Sequence, residues 1–123
     1  MPRSAVLGLV ALLAVPLCPG WAAAGEADVV DATAVRTGDT WRFDVTVSHA
    51  DEGWEHYADA WVVLAPDGQE LARRVLAHPH VTEQPFTRSL SGVVIPDGLT
   101  QVTVAAQDSV HGFGGVTLIV PLE

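Results

Sequence analysis

Five histidines are the residues here best suited to chemistry: His49, His56, His78, His80 and His111. Imidazole nitrogens and carboxylate oxygens without thiolate form a ligand set for divalent transition ions such as Zn(II) or Cu(II). The sharpest local element is His78-Pro79-His80. Pro79 fixes its own φ and holds His78 extended. Two extended residues at i and i+2 present their side chains to the same side, with Cα atoms about 6.6 Å apart. Glu83 follows in the same loop, and Asp108 stands three residues before His111. The candidate metal set is therefore His78, His80 and His111, with His56, Glu83 or Asp108 completing the shell. His49 is read as the polar end of a strand, outside that set.

Other chemistries are poorly served. The sequence contains no His-Glu-x-x-His, Gly-x-Ser-x-Gly or phosphate-binding glycine loop. Ser109 lies too close in the chain to Asp108 and His111 for the three to align as nucleophile, orienter and base. The expectation is a protein without enzymatic activity. Lys is absent, and Asp plus Glu outnumber Arg by 15 to 6. A surface of that sign repels phosphate, which excludes nucleic acid as a partner. A cation is its natural small partner.

The elements that must position these residues read as short strands between turn signals. Strand A is expected at Asp28–Arg36 and strand B at Thr40–His49. In strand B, Trp41, Phe43, Val45 and Val47 alternate with Arg42, Asp44, Thr46 and Ser48, the period of a sheet with one buried face. Strand C follows at His56–Ala65, D at Gln69–Ala77, E at Phe86–Ile95, F at Leu99–Gln107 and G at Val116–Leu122. Thr37-Gly38-Asp39, Pro66-Asp67-Gly68 and Pro96-Asp97-Gly98 are economical turns. Seven such strands resemble the immunoglobulin and fibronectin type III β-sandwich at the level of architecture, with Trp61 in the inter-sheet position and no disulfide. The resemblance implies an all-β, seven-stranded antiparallel sandwich. In that arrangement connections alternate between two ends. The three plain turns fall at one end, and every histidine falls on or beside the B–C, D–E and F–G loops at the other.

The first 24 residues stand apart. Arg3 precedes an apolar run from Ala5 to Val15, then Pro16, Pro19 and Gly20, then Ala22-Ala23-Ala24. That is the layout of a secretory signal peptide cut after Ala24, with residues 25–123 as the β-sandwich domain. The run is shorter than the roughly 20 residues of a spanning helix, so no stable membrane insertion is expected after cleavage. Cys18 follows Leu17, where lipid attachment wants a small residue, and is expected to leave with the signal. Losing Arg3 as well takes the formal charge from −9 to −10. The location implied is periplasmic or secreted. The partner is either a metal ion or an exported protein engaged by the same loops, with Trp54, Tyr57 and Phe113 as anchors.

Overall fold

The computed structural model describes residues 25–123, so the signal peptide expected over residues 1–24 lies outside the described residues. Eight strands follow in chain order: β1 (Asp28–Thr37), β2 (Thr40–Ser48), β3 (Ala58–Leu64), β4 (Glu70–Val75), β5 (Phe86–Val93), β6 (Gln101–Asp108), β7 (Gly112–Phe113) and β8 (Leu118–Pro121). They form two antiparallel sheets. One has the order β1-β2-β5; the other runs β4-β3-β6, with β7 and β8 both pairing with β6. The described residues contain no helix, and therefore none long and apolar enough to cross a membrane.

The alternation of β2 is realised side chain by side chain. Trp41, Phe43, Val45 and Val47 are buried, while Arg42 is exposed and ion-pairs with Asp44. Both sheets feed one core. Phe43, Val45, Val47 and Phe86 come from the first, and Trp61, Val63, Val102, Val104 and Ala106 from the second. Apolar burial of this kind contributes roughly 1.5–3 kcal/mol per large side chain. β3 is buried almost throughout because it lies between β4 and β6. On its outer face Arg73 of β4 stands opposite Val62 and reaches over to Gln107 of β6 (3.3 Å).

The strand count is eight rather than seven, and the additional element has a local cause. The Asp108 carboxylate accepts the backbone N–H groups of Val110 (2.6 Å) and His111 (2.8 Å). This turns the chain sharply after β6. Gly112 takes the left-handed φ of 72° that such a reversal favours, and Gly112 and Phe113 pair back onto Asp108 and Gln107. The loop expected between strands F and G thus contains a two-residue strand, and the last strand begins at Leu118.

Three connections meet at one end of the molecule. The β2–β3 connection is closed by a bridge between Gly53 and His56. Tyr57 and Ser109 stitch it to the β6–β7 turn: Ser109 N–H donates to the Tyr57 carbonyl (2.9 Å), and Tyr57 N–H donates to Ser109 Oγ (3.0 Å). The β4–β5 connection is tied in by Gln84, which accepts from His49 N–H (3.0 Å) and donates to the His80 carbonyl (2.9 Å).

Candidate metal centre

His49 follows the last residue of β2, and strand geometry carries its ring inward. It is 5 % exposed, and Asp108 at the end of β6 is 1 % exposed. Burial of two such polar side chains requires partners, since an unpaired buried polar or charged group costs several kcal/mol. They find one another. His49 Nε2 meets Asp108 Oδ2, and His56 Nε2 meets the same oxygen at 2.6 Å. One ligand atom from each of His49, His56 and Asp108 lies within 4.8 Å of the others.

Each of these groups is held from behind. His49 Nδ1 contacts Asp51 Oδ1 at 2.5 Å, and His56 Nδ1 contacts Glu52 Oε1 at 3.2 Å. The second oxygen of Asp108 is engaged by the two turn N–H groups and by His111 Nδ1 at 3.2 Å. Asp51 is itself fixed, accepting Ala58 N–H (3.1 Å) and His80 N–H (2.7 Å). Imidazoles whose Nδ1 rests on a carboxylate while Nε2 points inward have the orientation of metal-ligating histidines with their supporting shell.

The proton count bears on what holds the cluster together. A neutral imidazole carries a single N–H, yet His49 faces a carboxylate at both ring nitrogens. One of the two contacts therefore needs a proton beyond that single N–H, or a cation in its place.

The electrostatics follow from the same contacts. Burial works against the His56 imidazolium, but its hydrogen bonds to the Glu52 and Asp108 carboxylates and to the Gly25 carbonyl outweigh it and raise its pKa. Burial likewise pushes the Asp108 carboxyl up. The N–H groups of His111 and Val110 and the rings of His56 and His49 overcome that effect and hold it below the usual carboxylate range.

The residues expected from sequence divide into two groups. His56, Asp108 and His111 come together, with the His56 and His111 ring centroids 5.1 Å apart. His49, read as a strand end, lies at the centre of this group. The remaining three, His78, His80 and Glu83, gather in the β4–β5 connection. The His80 ring stacks on Phe86 at 4.0 Å, and its Nε2 meets Arg88 Nη2 at 2.9 Å. Arg88 also binds Glu83 at 3.2 Å. Burial, and then the Arg88 guanidinium and His78, lower the pKa of His80. A neutral His80 accepts from Arg88 through Nε2, which leaves that lone pair unavailable to an ion. The His78 ring sits 4.8 Å from His80 and is exposed. Asp51, which contacts both His49 Nδ1 and His80 N–H, joins the two groups. The signal that could have singled out His49 is its carboxylate two residues on, Asp51, in a loop already rich in acid.

No family model and no solved structure matches this chain. A protein of Halomicrobium mukohataei described as a "Putative lipoprotein" is similar to it, with 43% identity over 99 residues, covering 80% of this chain and 48% of that protein. The chain thus spans about half the length of the relative it matches.

Proposed function

We propose that residues 25–123 form an exported, non-catalytic domain that binds a divalent transition ion, Zn(II) or Cu(II), at one end of an immunoglobulin-like β-sandwich. Its role is carriage, sensing or buffering. His49, His56 and Asp108 are the inner ligands, and the exposed His111 stands beside them on the second oxygen of Asp108. One observation carries this reading: two imidazoles converge on a single buried carboxylate oxygen while each Nδ1 is braced by another carboxylate. The β1-β2-β5 and β4-β3-β6-β8 sheets around a shared core support the sandwich. Pairing of β4 with β3 departs from the constant-type immunoglobulin arrangement, in which strand D joins A, B and E. Placement outside the cytoplasm, periplasmic or secreted, is supported by the signal-like first 24 residues and by the description of the relative as a lipoprotein.

The test is a titration at pH 7.5 with Zn(II) and Cu(II) salts. Uptake of one ion per chain is expected, with His49→Ala abolishing it. Absence of uptake at micromolar concentrations would sink the proposal.

A second reading is favoured by Trp54, which is 67% exposed and meets Tyr57 edge to face at 5.7 Å, and by the exposed Phe113. These aromatics border the same end and suit a protein-binding surface. On that reading the polar cluster stiffens the loops, and Trp54→Ala abolishes partner binding while metal uptake is absent.

A further inference from the structure

We propose that Gly25 belongs to the metal centre: after cleavage behind Ala24, its α-amine and carbonyl oxygen close the donor set begun by His49, His56 and Asp108. This rests on the metal reading above. The Gly25 carbonyl oxygen lies 3.3 Å from His49 Nε2 and 3.3 Å from His56 Nε2. It therefore stands beside the Asp108 oxygen on the inward side of both rings, as a fourth atom converging on the same point.

The position is imposed by the fold. Ala27 is fully buried, Val29 N–H donates to the Val116 carbonyl (2.9 Å), and Val116 N–H donates to Asp28 Oδ1 (2.8 Å). The β7–β8 connection presses on the segment most closely at Gly115, where backbone excludes a side chain. A Cβ on Gly115 would lie 2.1 Å from the Ala27 carbonyl oxygen, and one on Gly114 would lie 2.7 Å from Glu26 Oε2. At Gly25 the neighbour is a side chain: a Cβ there would lie 2.9 Å from His111 Cε1. Only glycine brings its backbone this close to the cluster without moving the His111 ring.

Chemistry supplies the reason for cleavage. A lone carbonyl oxygen is a hard donor, poorly matched to ions that prefer imidazole and amine nitrogen. In an uncut chain the Gly25 nitrogen is an amide, which offers no lone pair to an ion without losing its proton. Cutting after Ala24 turns it into a primary amine. That amine and the carbonyl oxygen of the same residue can close a five-membered chelate ring on one ion. Metal affinity would then switch on when the leader is removed, so that loading follows export.

The absence of Lys makes the test clean, because the α-amine is the sole primary amine of a chain that begins at Gly25. Three forms are compared by chelator competition with Zn(II) and Cu(II) salts alone: the chain starting at Gly25, the same chain acetylated at its α-amine, and one with Ser-Ala placed ahead of Gly25. Far-ultraviolet circular dichroism of the metal-free forms checks that all three share one fold. Blocking or extending the amine is expected to weaken binding at least about 10-fold, the lower end of what loss of a supporting group costs a metal site. Equal affinity in all three forms overturns the role of Gly25 and leaves the histidine centre standing. No uptake by any form overturns both.

Discussion

Asp108→Asn isolates the group on which the site converges. The substitution keeps the shape of the side chain, which has no exposed surface. It removes the charge and replaces one of the two oxygens with an N–H donor. If the amide oxygen keeps the Val110 and His111 N–H groups, its NH2 must face the Nε2 atoms of His49 and His56. Two charge-assisted contacts are lost, and His49 retains a single carboxylate partner. A hydrogen bond to a charged group contributes about 1.5–3 kcal/mol, so losing two costs about 3 kcal/mol or more, a large share of the roughly 5–15 kcal/mol that stabilises a domain. At about 4–8 °C per kcal/mol for a chain of this size, Tm should fall by at least roughly 12 °C at pH 7 without metal. Because the Asp108 pKa is held down in the folded state, its contribution is present above the ordinary carboxylate range and is lost as pH falls through its folded pKa. The gap between wild type and variant should therefore close in strong acid. The assay is thermal unfolding by circular dichroism from pH 2 to pH 8, followed by Zn(II) titration of the folded variant at pH 7.5. An Asn variant within a few degrees of wild type at pH 7 would refute the view that this carboxylate organises the cluster.

Two further outcomes follow from the same geometry. His56 has a raised pKa, so the stability it contributes to the metal-free protein is fully present below about pH 6.5 and is lost as pH rises through its folded value. Metal affinity should move the opposite way, rising with pH as imidazolium protons leave. Unfolding curves with and without Zn(II) should diverge between pH 6 and pH 8, and His56→Gln should flatten the metal-free profile. His78→Ala should leave Zn(II) affinity unchanged by the same competition assay, because His78 contacts the His80–Arg88 group and none of the inner ligands. A marked loss of affinity would move the site to the His-Pro-His loop.

Much of the fold was legible because sheet periodicity is a local property. Trp41, Phe43, Val45 and Val47 announce a one-sided strand wherever they occur, and Pro-Asp-Gly marks a reversal in any context. Seven of the eight strand positions follow from such local patterns, within the shifts expected at strand ends. β7 did not, because its two residues carry no periodicity. It exists because the Asp108 side chain captures two backbone N–H groups and turns Gly112 back onto the strand it has just left.

Composition alone determined the chemical vocabulary of this protein: imidazole and carboxylate, no Lys, and acid in excess. Which of those groups share a point in space was decided by tertiary structure. His78-Pro79-His80 looked the stronger ligand pair because its spacing can be seen along the chain. His49 and His56 come from one loop and Asp108 from the end of a distant strand, up to 59 positions along the chain. Their meeting depends on how the two sheets pack. The same packing places Phe86 against the His80 ring and Arg88 on its nitrogen, which diverts that histidine from an ion. It also sets Gly25, a residue with no side chain to draw attention, against the inner histidines. Local pattern reports which residues can take part; only the long-range contacts of the folded chain decide which of them face one another.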